Sequence, residues 1–200
     1  MYTLISGSPK IKPSNSMFFL NKVKQSLEEY SFFELKKHKY DEIIKSIEES
    51  QVIVLAFPLY VDSPPSLTLE FLDYIIENKI DLKGKYLYSI INCGFRDGKQ
   101  NIVAANIISS WTKKVNAKYG GSILIGAGEI IGNKKYKYLS ISAKKSINKF
   151  IKVIKNKELT QDIITTVDIL NDNLYCFFAN LSWTKNGKKF KLTKEELKKQ

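Results

Sequence analysis

Apolar residues follow two alternating rhythms through the first two-thirds of the chain. Short, nearly continuous apolar runs occupy Tyr2–Ser6, Phe32–Leu35, Val52–Phe57, Tyr86–Asn92 and Ser122–Ile125. Between and after them, apolar positions recur every three or four residues over Met17–Tyr30, Asp41–Glu49, Ser66–Asn78, Asn101–Tyr119 and Ser142–Lys155. The first rhythm predicts strands buried on both faces; the second predicts amphipathic helices, with Asp41 as N-cap of the second. Strand–helix units repeated in this way predict an α/β, doubly wound, five-stranded parallel sheet with helices on both faces, since right-handed crossovers lay the helices over it. Sheets of this type hold ligands beyond the carboxyl ends of their strands.

Beyond Asn156 the pattern changes. Asp162–Asn171 is weakly helical, Leu174–Leu181 holds the apolar block Tyr175-Cys176-Phe177-Phe178-Ala179, and Trp183 precedes Asn186-Gly187. Lys188 to Gln200 is lysine-rich, with Thr193 placed to cap a last short helix. The expected organisation is one domain over 1–156 and a C-terminal extension over 157–200, whose aromatics need cover from the domain or from a second subunit.

Composition narrows the function classes. A formal charge of +12 invites a nucleic-acid reading, yet Arg96 is the only arginine, and the lysines are spread over nearly every helix instead of forming one block. Solvated helix faces explain that spread better, and nucleic acid is not the expected partner. Cys93 and Cys176 are too far apart in sequence to suggest a disulfide framework or a metal motif, and no metal site is expected. No apolar stretch approaches the roughly 20 residues that span a bilayer. The first ten residues lack a basic region followed by a long apolar core, so a cytoplasmic protein without a membrane partner is expected.

The turns after the strands carry the candidate chemistry. After the first strand comes Gly7-Ser8-Pro9-Lys10-Ile11-Lys12-Pro13-Ser14-Asn15-Ser16, leading into a helix start. Hydroxyls, a lysine and the free N–H groups of a helix N-terminus form a setting for an anion. Neither the P-loop pattern nor the Gly-x-Gly-x-x-Gly fingerprint follows this strand, which leaves a mononucleotide. After the third strand lies Pro58-Leu59-Tyr60-Val61-Asp62-Ser63-Pro64-Pro65. After the fourth lies Asn92-Cys93-Gly94-Phe95-Arg96-Asp97-Gly98, and after the fifth Gly126-Ala127-Gly128-Glu129-Ile130-Ile131-Gly132, which reads as a flexible loop or a tight turn and, from its place at the same sheet edge, as a candidate lid. Cys93 reads as a small packing residue, and His38, the only histidine, as solvated.

The first loop and the Pro-x-Tyr turn resemble those of the NADPH-dependent FMN reductases, a family of the flavodoxin-like superfamily. The resemblance implies a strand order of 2-1-3-4-5 and bound FMN, with NAD(P)H as co-substrate. It places Ser8, Lys10, Ser14, Asn15 and Ser16 at the phosphate, with Lys10 where relatives carry arginine. Pro58, Leu59, Tyr60 and Val61 would lie along the flavin ring, with Val61 where relatives often carry an aromatic; Asn92, Cys93, Gly94 and Phe95 would border its pyrimidine side. The implied activity is electron transfer from NAD(P)H through FMN to a small acceptor such as a quinone, a nitro or azo compound, or free flavin. No protein residue is expected to act as acid or nucleophile. A homodimer is implied, with Tyr175–Trp183 contributing near the cleft. A flavodoxin-like electron carrier and a flavin-free binding or regulatory domain are the competing classes.

Overall fold

The computed structural model describes residues 1–10, 14–132, 138–168, 171–190, 193 and 195–196, apart from the side chains of Asn186 and Lys189. Its centre is a parallel sheet of β1 (Tyr2–Ser6), β2 (Tyr30–Glu34), β3 (Val52–Pro58), β4 (Tyr86–Asn92), β5 (Lys118–Ile125) and β6 (Ile163–Thr165), in the order β2-β1-β3-β4-β5-β6. The expected five strands stand in the expected order, and a sixth extends the sheet beyond β5.

The helices are α1 (Asn15–Lys24), α2 (Tyr40–Glu49), α3 (Ser66–Glu77), α4 (Ile102–Lys114), α5 (Gly128–Ile131), α6 (Ile141–Asn156) and α7 (Asp172–Lys189). On one face Ile43, Phe71, Ile75, Ala104 and Ile108 of α2, α3 and α4 pack on Ile5, Ile53, Leu55 and Leu87. On the other, Tyr88 meets Phe150 of α6 edge to face, with ring centres 6.0 Å apart, and α1 buries Phe19, Leu20 and Val23. Each fully buried aliphatic or phenyl side chain contributes about 1.5–3 kcal/mol through removal from water. A central strand such as β3, buried from Val52 through Phe57, therefore anchors the domain.

Several element boundaries differ from the sequence expectation. The first helix ends at Lys24, not Tyr30, because Tyr30-Ser31-Phe32-Phe33 is drawn into register with Tyr2–Ile5, where aromatic residues suit a pleated surface. The second helix starts at Tyr40 with Lys39 at its cap; Asp41 lies in the first turn and accepts the Tyr74 hydroxyl proton at 2.7 Å. The fourth helix ends at Lys114. Asn116 turns left-handed (φ 57°), and β5 begins at Lys118 with a bulge that skips Gly120. A Cβ on Gly120 would stand 2.3 Å from the Tyr88 ring, so the bulge depends on glycine at this close approach.

Ile163–Thr165 is a strand where weak helix was expected. Its β-branched residues pair with Ile123–Ile125, and Asp162 fixes the entry by accepting the Ser122 N–H at 2.8 Å and the Tyr119 hydroxyl at 2.7 Å. Met1–Val167 form one compact unit and Asp168–Gln200 a second. In the second, the Asn171 side chain caps α7 by accepting from Leu174 N at 2.9 Å, and α7 runs through the Asn186-Gly187 step. Thr193 and Glu196 exchange the bonds of a capping box, Glu196 N donating to Thr193 Oγ1 at 3.2 Å and Thr193 N to Glu196 Oε2 at 2.7 Å. Among the described residues no helix is long and apolar enough to cross a membrane.

Candidate functional site

The carboxyl ends of β1, β3, β4 and β5 release their loops at one edge of the sheet. The first turn is held from behind: Gly7 N donates to Ala56 O at 2.8 Å, and the Thr68 hydroxyl donates to Gly7 O at 3.2 Å. A Cβ at Gly7 would lie 2.2 Å from Thr68 Oγ1, so glycine is required here for close approach to α3. Thr68 was not singled out in the sequence, where it reads as one helical residue among others.

Ser8 follows, 2% exposed, with a hydroxyl that has no hydrogen-bond partner; the Ser6 hydroxyl at the end of β1 is in the same state. A buried polar group left unpaired costs about 1–3 kcal/mol, and native structures hold few of them. Lys10 is exposed, and Ile11–Pro13 lie outside the described residues. Ser14 caps α1, its Oγ accepting from Met17 N at 3.2 Å. Asn15 opens the helix half-buried, and Ser16 is fully buried with its Oγ accepting from Asn92 Nδ2 at 2.7 Å.

Asn92 joins the three loops. Its Nδ2 also donates to Phe57 O at 3.0 Å, and its carbonyl accepts from Leu59 N at 2.8 Å. Pro58 closes β3, and Leu59 is buried. From Tyr60 to Ser63 the chain makes a tight turn with reciprocal backbone bonds of 2.9 and 3.1 Å. Its central residues Val61 (φ 48°) and Asp62 (φ 60°) are both left-handed. Such turns normally carry Asn and Gly; a β-branched valine there is strained by about 1–2 kcal/mol. Val61 is 99% exposed and Tyr60 43% exposed.

Cys93 is turned inward. Its Sγ lies 3.6 Å from Phe95 O and 3.8 Å from Asp97 O and receives the Asn101 amide at 3.5 Å. Burial pushes its thiol pKa up, which opposes thiolate formation. Gly94 is open to solvent, and Phe95 is 61% exposed. Asn101, fully buried, fixes this loop through bonds to Gly98 O and Ile125 O at 3.0 and 3.4 Å; it too was unforeseen.

The loop after β5 is a wall rather than a flexible lid. Ala127 N donates to Phe95 O at 2.6 Å and Gly128 N to Cys93 O at 3.0 Å, and a Cβ on Gly126 would stand 2.1 Å from Arg96 O. Thr166 Oγ1 donates to Arg96 O, and Gly126 N to Thr165 O at 2.9 Å, so the β6 exit braces the same wall. His38 is not simply solvated: its ring packs edge-on to Phe33, with Nδ1 3.6 Å from Glu42 Oε2. Among the described residues no group of His, Cys, Asp or Glu is arranged to hold a metal.

The edge thus offers unpaired or singly engaged hydroxyls at a helix N-terminus, beside two turns that expose Val61 and Phe95. That combination suits an anion joined to a flat apolar body.

No protein-family model matches the chain, and no curated protein matches it. Solved structures do. The chain is similar to an NADPH-quinone reductase from P. pentosaceus, with 16% identity, 75% of this chain and 94% of that one covered, and a TM-score of 0.60. It is similar to the flavodoxin of Streptococcus pneumoniae TIGR4 at 12% identity, 78% and 99% coverage and a TM-score of 0.56. An azoreductase from Bacillus anthracis matches at 14% identity, 75% and 98% coverage and a TM-score of 0.53. The chain is an α/β protein of the flavodoxin-like fold.

Proposed function

We propose that the chain is a flavin-dependent oxidoreductase akin to the NADPH-dependent FMN reductases, passing electrons from NAD(P)H through FMN to a small acceptor such as a quinone, a nitro or azo compound, or free flavin. The observation that carries this reading is the buried, unpartnered Ser8 hydroxyl at the carboxyl end of β1, in the loop that leads to α1. It is a donor held ready for an anion at the one edge where this fold binds ligands. The residues present fit a terminal phosphate. Ser14 and Ser16 already accept hydrogen bonds through Oγ, and the O–H of each can still donate. Asn15 lies beside them, and Lys10 supplies the counter-charge.

Pro58, Leu59, Tyr60 and Val61 on one turn and Asn92, Cys93, Gly94 and Phe95 on the other would flank the ring, with Val61 and Phe95 keeping water from its apolar face. Bound flavin supplies hydride and electron transfer. The chain's share is then to hold, orient and shield, in keeping with a buried thiol whose raised pKa leaves it protonated. The quinone reductase and azoreductase among the similar structures support the acceptor class. The reading includes a cytoplasmic homodimer. An electron carrier is disfavoured by the charge of +12, because carriers of this fold are usually acidic.

Protein purified without added flavin should show flavin absorbance, release FMN and not FAD on denaturation, and oxidise NAD(P)H when a quinone or azo dye is supplied. A colourless protein whose melting temperature ignores excess FMN would overturn the reading, since ligand at about 100 times its Kd stabilises a fold by roughly 2.7 kcal/mol. FMN binding without NAD(P)H oxidation would assign the carrier role instead.

A further inference from the structure

The fold sorts charge that the sequence spreads. Helices α1 and α6, which cover one face of the sheet, hold seven lysines and no acidic residue. Helices α2 and α3, on the opposite face, hold seven acidic residues and one lysine. Ala143, Ile147, Phe150 and Ile154 turn the apolar side of α6 to the sheet, while Lys145, Asn148, Lys149, Lys152 and Lys155 follow helical spacing along its exposed side. Those four lysines make no ion pair among the described residues. The acids next along the chain are engaged elsewhere: Glu158 Oε1 accepts from Asn156 Nδ2 at 2.9 Å, and Asp162 is held by Tyr119 and Ser122. Asp168–Gln200, with seven lysines against four acidic residues, supplies no net counter-charge either.

We propose that this face binds the phosphate backbone of duplex nucleic acid without regard to sequence. The chemistry of the stripe selects this occupant. Its exposed positions from Lys145 to Asn156 are lysine and asparagine throughout, so it has no apolar group to enter a membrane's acyl boundary or to form the apolar centre of a protein interface. It also lacks the aromatic side chains on which unpaired bases stack and the arginines that read base edges. A duplex keeps its bases stacked inside and presents lines of phosphates, to which ammonium and carboxamide groups both donate. A second copy could offer its α2–α3 face, but molecules of charge +12 repel, and pairing opposite faces builds an open stack that never closes. The expectation against nucleic acid rested on a single arginine and on lysines spread along the chain. The first argues against sequence-specific readout alone, and the fold undoes the second. The proposal stands independently of the flavin reading.

The test is titration of the full-length protein with a fluorescent duplex DNA of mixed sequence over a range of salt. Affinity should be the same for unrelated sequences, and log K should fall against log salt with a slope of about −4, as neutralising about four or five phosphates requires. Lys145→Gln, Lys149→Gln and Lys152→Gln together should weaken binding about tenfold or more at low salt and flatten the slope by about 0.9 for each lysine removed. The melting temperature should not move, because these side chains are exposed and glutamine suits a helix as well as lysine does. Acetylation with an N-hydroxysuccinimide ester, read by mass spectrometry, should label Lys145, Lys149, Lys152 and Lys155 in the free protein, and duplex should protect them. Absence of binding at low salt, lysines closed to the reagent in the free protein, or an affinity and slope indifferent to the Gln changes would each overturn the proposal. So would binding lost only in Lys185→Gln with Lys188→Gln, which would give it to the C-terminal unit. Capture by vesicles containing phosphatidylglycerol but not by duplex would give the face to a lipid surface, and salt-sensitive higher oligomers in sedimentation, without duplex binding, would give it to a second copy.

Discussion

At the scale of single residues, Ser8 separates ligand binding from plain folding. Its hydroxyl is buried with no partner, so Ser8→Ala removes a desolvated group that contributes nothing to the free chain. Urea melts of the flavin-free protein should show unchanged stability or a gain of up to about 1 kcal/mol. FMN affinity should fall tenfold or more, since a charge-assisted bond of about 1.5–3 kcal/mol is lost and about 1.4 kcal/mol makes a decade. Ser14→Ala should behave in the opposite sense for stability, costing about 1 kcal/mol, because its Oγ caps α1. If Ser8→Ala destabilises the free protein and leaves FMN affinity unchanged, Ser8 belongs to the fold alone. The hydroxyl-rich loop was legible in the sequence as a type of place. The division of labour within it was not, because which hydroxyl caps, which is tied to Asn92 and which is left unpaired depends on contacts such as Ser16–Asn92, which spans 76 positions.

At the scale of elements, legibility follows burial. β1 and β4 match their apolar runs, and β3 and α3 differ by one residue at one end, since a central strand or a helix over a core leaves an unbroken hydrophobic signature. The start of β2, the start of β5 and all of β6 were missed. Each is fixed by something outside its own residues: register against β1, the Gly120 bulge against Tyr88, and the Asp162 bonds to Tyr119 and Ser122. The turn after β3 offers a test of stored strain. Replacing Val61 and Asp62 by Asn-Gly supplies residues that accept φ values of 48° and 60°, and thermal melts should show a gain of about 1 kcal/mol. Unchanged or lower stability would mean that the left-handed pair carries no strain.

At the scale of the whole molecule, β6 decides where the unit proposed to bind flavin ends. The compact unit runs to Val167, and both Thr165 and Thr166 brace the loops after β4 and β5. A chain ending at Val167 should melt cooperatively and bind FMN with affinity within about threefold of the full chain, a difference below 1 kcal/mol. A chain ending at Lys157 loses the Asp162 bonds and the edge strand over Ile123–Ile125, and should melt at a lower temperature and bind FMN at least tenfold more weakly. Calorimetry and FMN titration of the two truncations check this; equal behaviour would confine the unit to the first five strands.

The bracing of the β4 and β5 loops by Thr165 and Thr166 also sets a clock on biogenesis. Those loops leave the ribosome well before the residues that lock them, with the last of α5 at Ile131 and the lock at Thr166. At about 5–20 residues per second, synthesis of the intervening chain takes on the order of 2–7 s. Throughout that interval the nascent protein carries its first five strands but neither the α6 cover, the sixth strand, nor the brace on the candidate site. On the proposed reading, flavin capture is therefore an event of the nearly complete chain, since a chain halted between α5 and β6 lacks both the α6 cover and the Thr165–Thr166 brace.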